Sequence, residues 1–137
     1  MILSIFKRDD PEEKKPDAAL QKTLLVTMLE VPESEHEEII ETVSKRFSFG
    51  FRIIYLVSTD NFGPLLAQNA AWEYFPPLEE QRQYREVMDW ADYLAEKWNL
   101  LLIKWKPAKT IAYGTNVDRF LHHSREIRKF APDEAEI

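Results

Sequence analysis

The chain has 137 residues, a single-domain length, and 45% of them are apolar, enough for a packed core. A formal charge of −6 argues against a general nucleic-acid or anionic-membrane binder. The absence of cysteine excludes disulfides, thiolate metal sites and cysteine nucleophiles.

At the N-terminus Ile2, Leu3, Ile5 and Phe6 are followed at once by Lys7, Arg8, Asp9 and Asp10, not the order of a secretory signal. No apolar run approaches the ~20 residues of a bilayer span, so no stable membrane insertion is expected and the chain reads as cytoplasmic. Residues 1–20 are expected to form a tail and linker, 21–130 a single α/β domain, and 131–137 an acidic tail.

Leu24 to Leu29 is a continuous apolar run, as in a strand covered on both faces. Pro32 ends it. Ser34 stands three residues before Glu37, the spacing of a capping box, and predicts a helix in which Ile39, Ile40, Val43 and Phe47 recur. After Gly50, Ile53 to Val57 reads as a second buried strand. Ser58, Thr59, Asp60 and Asn61 then offer caps for a short helix with Pro64 near its start. Trp72 to Phe75 is a third strand, stopped by Pro76 and Pro77.

Leu78 to Trp105 is helix-compatible throughout, but one helix would run ~42 Å. Asp89 offers a cap, so the expectation is one helix near Glu79 to Val87 and another from Trp90 to Trp105. Thr110 to Tyr113 is a fourth strand, and Gly114, Thr115 and Asn116 turn into a last helix carrying Val117, Phe120, Leu121 and Ile127. This alternation predicts an α/β fold of three layers. It is a doubly wound, mainly parallel four-stranded sheet of order 3-2-1-4, with helices on both faces and right-handed crossovers.

Such sheets bind ligands outside the carboxyl ends of their strands. The candidates there are Ser34 after the first strand, Ser58, Thr59, Asp60 and Asn61 after the second, and Gly114, Thr115 and Asn116 after the fourth. Hydroxyls and amides exchange hydrogen bonds with sugars or amino acids, and the same residue types cap helices and make turns. A phosphate cradle is not expected, because Glu30, Pro32, Glu33 and Glu35 occupy the first strand–helix turn. No cofactor is therefore expected. His122 and His123 project about 100° apart on a helix, so no metal site is expected either. His36 lies among glutamates, and no Gly-x-Ser-x-Gly elbow is present. Glu30 and Asp60 echo the acidic site of a receiver domain, without the strand that would carry its late lysine.

Trp90, Trp98 and Trp105 share a helical stripe with Leu94, Leu101 and Leu102, the pattern of a core, and any exposed remainder reads as a protein interface. Charge separates along the chain. Met1 to Glu96 has 10 basic and 19 acidic side chains, a balance of −9; Lys97 to Lys129 stands at +6 and the end of the chain at −3. Lys104, Lys106, Arg119 and Arg125 belong to the basic block and are further interface candidates, for a protein partner or a homo-oligomer and not for nucleic acid.

Three stretches resemble the N-terminal Rossmann-like half-domain of two-domain (B-fold) glycosyltransferases. They are Ile53 to Asp60 before a short helix, Trp72-Glu73-Tyr74-Phe75-Pro76-Pro77, and Trp98 through Lys106-Pro107-Ala108-Lys109 to Gly114. The resemblance runs from Leu24 to Leu121. It implies an acceptor-side or accessory module, because neither a donor-binding half nor a glycine-rich first turn accompanies it, and it carries over no catalytic residue. The expected function is a non-catalytic binding or interaction module, accessory to polysaccharide or envelope biosynthesis. The alternatives are a small enzyme or ligand-binding domain using the polar rim, and a receiver-like signalling domain.

Overall fold

The computed structural model describes residues 21–47 and 49–127. The expectations for the tail at 1–20, the acidic tail at 131–137 and the last residues of the domain lie outside them. The chain runs β1 (Lys22–Leu29), a 3-10 turn (Glu33–Glu35), α1 (His36–Phe47), β2 (Phe51–Val57), α2 (Gly63–Ala67) and β3 (Ala71–Tyr74). It continues through α3 (Leu78–Gln83), α4 (Trp90–Trp105), β4 (Lys109–Gly114) and α5 (Val117–Arg125). All pairings are parallel and the four strands lie in the order β3-β2-β1-β4, the arrangement expected of a doubly wound α/β domain. Among the described residues no helix is long and apolar enough to cross a membrane.

The sheet separates two cores. Leu25 and Leu29 of β1 join Ile54 and Leu56 of β2 beneath α4 and α5, where Phe75, Leu94, Leu101, Phe120 and Leu121 complete the packing. On the other face Leu24, Val26 and Met28 join Tyr55 and Val57 beneath Ile40, Val43 and Leu65 of α1 and α2. β1 is buried from Thr23 to Leu29, which is why its sequence shows no polar alternation. β4 pairs with β1 and lies at the edge, so it does alternate. Ile111 and Tyr113 pack on the α1 side, while Thr110 and Ala112 remain exposed on the other.

Several element boundaries depart from expectation. Ser34 makes no capping box: the chain first closes a 3-10 turn in which the Glu35 amide bonds the Pro32 carbonyl at 2.9 Å, so the helix proper starts at His36. α2 begins after Phe62 without a side-chain cap, although Pro64 does sit in its first turn. α3 stops at Gln83 rather than Val87, because Tyr84 to Val87 form turns, one of them closed by the Val87 amide on the Tyr84 carbonyl. α4 has the expected limits. The Asp89 carboxylate accepts from the Asp92 amide at 3.3 Å, and Lys106, in the left-handed region at φ 46°, ends the helix just before Pro107.

Gly114 closes β4 at φ +74°, a conformation that disfavours any side chain. A Cβ there would stand 2.5 Å from the Leu29 carbonyl oxygen and 2.6 Å from Val31 Cγ2. Gly114→Ala combines the left-handed penalty with overpacking against backbone and is expected to cost about 2–4 kcal/mol. Urea unfolding with unchanged slope and a lowered midpoint checks this.

Candidate functional site

Strand order reverses between β1 and β4, so the ligand position of this fold lies between the loops that follow them. Those loops are joined to each other. Leu29 and Thr115 form an isolated bridge, the Thr115 amide donates to the Leu29 carbonyl at 2.9 Å, and Thr115 Oγ1 donates to Glu30 Oε1 at 2.6 Å. Glu30 sits in the left-handed region at φ 60°, and its second carboxylate oxygen lies 3.5 Å from His123 Nδ1. The two loops are thus tied together across the crevice, and a cleft of about 530 Å³ lined by Asn116, Asp118, Arg119, His122 and His123 opens beside them.

The other rim candidates perform local work. Ser34 is exposed within the 3-10 turn. Thr59 Oγ1 accepts from the Asn61 amide at 3.2 Å, and Asn61 Oδ1 from the Gly63 amide at 3.2 Å, so this loop is built of side-chain-closed turns. Ser58 is half-buried beside it and Asp60 is exposed. Asn116 caps α5 by accepting from the Arg119 amide at 2.8 Å.

Asn116 also lines a second, smaller groove. That groove, about 280 Å³, lies over the open face of β4 between Trp98 and the start of α5, with Thr27, Thr110, Ala112 and Asp118 on its walls. The Thr27 hydroxyl is buried and has no hydrogen-bond partner. A wider cleft of about 520 Å³ lies between the starts of α4 and the end of α5, where Asp89 and Asp92 face the same space as Arg125.

The histidines are structural or surface groups. His36 is buried under the β1–α1 turn with Nε2 3.1 Å from the Val31 carbonyl, and because a carbonyl only accepts, Nε2 carries the proton. His122 lies 3.6 Å from Glu126 on exposed α5. Among the described residues no group of three histidine, aspartate or glutamate side chains is placed to hold a metal ion.

α4 carries the least expected surface. Trp98 and Trp105 are half-buried against the core, and Trp90, also half-buried, donates from Nε1 to the Tyr84 carbonyl at 2.9 Å. On the opposite side Tyr93, Leu100 and Ile103 are 43%, 58% and 65% exposed, within about 80° of arc on the helix. The sequence signal was present in Leu100 to Ile103, an apolar run that a one-sided stripe does not need. Of the four basic candidates, Lys104 stands beside it, one turn after Leu100, and the others do not gather there. Lys104 and Lys106 lie at the end of α4, whereas Arg125 lines the cleft at its start, about 22 Å away along the helix, and Arg119 is exposed on α5.

Glu73 of β3 ties down the last turn of α4, whose buried face is set by Leu94 and Leu101. Its Oε2 accepts from Trp105 Nε1 at 2.7 Å and from Lys104 Nζ at 3.0 Å. Lys97 Nζ donates to the Tyr74 carbonyl at 2.7 Å, and the Tyr74 hydroxyl to Glu80 Oε1 at 2.8 Å. Burial, and next the bond to the Glu80 carboxylate, hold the Tyr74 hydroxyl well above the usual tyrosine range. For Glu73 burial acts upward, but the bonds from Trp105 and Lys104 outweigh it and hold the carboxyl below its ordinary value of 4.5.

Compared with protein-family models, curated proteins and solved structures, the chain finds no significant match.

The lowered Glu73 pKa fixes the sign of a pH effect. Its contribution is complete above the unfolded value of 4.5 and is lost as pH falls through the lower folded value. Wild type is therefore expected to exceed Glu73→Gln in stability near neutral pH, with the gap closing below about pH 4. Urea titrations of both proteins from about pH 3 to pH 7 measure it.

Proposed function

We propose that this domain is a non-catalytic protein-interaction module that docks through the outer face of α4. The observation that carries the reading is the exposure of Tyr93, Leu100 and Ile103 on a helix whose other side already packs into the core. Leaving such side chains in water forgoes roughly 25 cal/mol for each Å² of apolar surface that a partner would cover. The bridge across the strand-order reversal supports the same reading, since Glu30 and Thr115 bond to each other where this architecture usually holds small ligands. The half-domain motifs support a place for the module beside enzymes that assemble polysaccharide or envelope glycans.

One observation favours a second reading, a ligand-binding domain. The groove beside β4 combines a half-buried indole, Trp98, with the unpartnered Thr27 hydroxyl, Thr110, Asn116 and Asp118. The Asp118 carboxylate opposes phosphate, and the set suits a neutral polyhydroxylated ring, which offers hydroxyls to the polar groups and an apolar face to the indole.

Both readings are testable with the intact chain. Bait carrying Leu100→Glu and Ile103→Glu is expected to lose a stoichiometric partner that wild type retains from native lysate. In the wild-type complex, hydrogen exchange should slow across Tyr93 to Trp105. Equal capture by both baits, or protection elsewhere, defeats the α4 reading. For the groove, titration of wild type and Asp118→Ala with glucose, galactose and N-acetylglucosamine, read at the Trp98 indole resonance, separates binding from none.

A further inference from the structure

We propose that the partner seated on α4 is a second copy of this chain, paired about a two-fold axis that passes through Leu100. The inference rests on the α4 reading above. A two-fold contact is self-complementary: whatever residue i touches, its counterpart must touch residue i in return. Residues four apart form a ridge on a helix, and the outer ridge of α4 reads Glu96, Leu100, Lys104. All three are exposed.

An antiparallel crossing centred on Leu100 sets the two Leu100 side chains against each other. It brings Glu96 to Lys104 of the partner subunit and Lys104 to Glu96 of the partner subunit, while Tyr93 and Ile103 flank the crossing. A parallel crossing would oppose Glu96 to Glu96 and Lys104 to Lys104, so the order of charges along the ridge selects the antiparallel pair. Lys104 is not exhausted by Glu73. Its side chain remains 61% exposed while it makes that bond at 3.0 Å, and an ammonium has three donors.

Size sets the strength. α4 is about 24 Å long, and a single helix crossing covers less than the ~800 Å² per partner of a standard interface. The dimer is therefore a weak one, with dissociation in the micromolar range rather than below it.

Sedimentation velocity over a wide concentration series tests the pairing. Wild type is expected to pass reversibly from monomer to dimer, and Leu100→Glu to remain monomeric. The charge test belongs in a Glu73→Gln background, which keeps an acceptor for Trp105 and removes the carboxylate that a glutamate at 104 would repel. There Glu96→Lys should weaken the dimer at least tenfold, and the exchange Glu96→Lys with Lys104→Glu should restore it to within threefold. Because the chain has no cysteine, Leu100→Cys gives an independent reading: mild oxidation links two copies through the axis, whereas Glu41→Cys on α1 does not. A strict monomer at every concentration, or an exchange that fails to restore association, overturns the proposal. If the chain is monomeric and still binds another protein through Leu100, self-pairing falls and the interaction reading stands. If neither depends on Leu100, both fall.

Discussion

The approach of β4 to Leu29 is the constraint on which the rest of this domain turns. Only glycine fits at 114, because the Leu29 carbonyl and the Val31 side chain occupy the space of a Cβ. That contact lets Thr115 bridge to Leu29 and reach the Glu30 carboxylate, and it holds Glu30 in a conformation that non-glycine residues adopt at a cost of about 1 kcal/mol. A doubly wound sheet usually leaves its strand-order reversal open to ligands. Here the same backbone positions join β1 to β4, and the exposed apolar side chains of Tyr93, Leu100 and Ile103 lie instead on the outer surface of α4.

The fold was legible because its strongest signals are non-local in consequence but local in form. The run from Leu24 to Leu29 announces a strand covered on both faces, and such a strand must be central, which fixes most of the 3-2-1-4 order. Asp89 marked the start of α4 by a side-chain acceptor that the structure uses. Ser34 offered the same chemistry and went unused, since Pro32 and the turn that follows it had already satisfied the first amides. A cap is a competition among nearby acceptors, and a single sequence shows the competitors without their geometry.

The candidate site was less legible for a related reason. Hydroxyl and amide side chains at strand ends serve turns and ligands equally well, and Thr59, Asn61, Thr115 and Asn116 all bond within the fold. The outer face of α4 was less legible because the inward stripe of Leu94, Trp98, Leu101 and Trp105 dominates the apolar pattern of the helix. Whether Leu100 and Ile103 face water depends on the rotation of the helix, which is set by the packing of Leu94, Trp98 and Leu101 and by the bonds of Glu73, on a strand about 30 residues upstream, to its last turn. Charge separation along the chain likewise does not bring the basic candidates to one face among the described residues, because Lys104 and Arg125 lie toward opposite ends of α4.

A helix that is apolar on two sides has a further consequence for how the chain finds its native state. Turned half a revolution about its axis, α4 would bury Leu100 and Ile103 but also Glu96, and would expose Leu94, Trp98, Leu101 and Trp105, so hydrophobic packing already favours the native docking. Glu73 adds to that preference. In the native docking its carboxylate meets Trp105 Nε1 and Lys104 Nζ; in the reversed one it would be left desolvated without either donor. A polar contact at the margin of the core thus reinforces the helix orientation that packing selects, and it does so at the end of α4 where Trp105 is only half-buried.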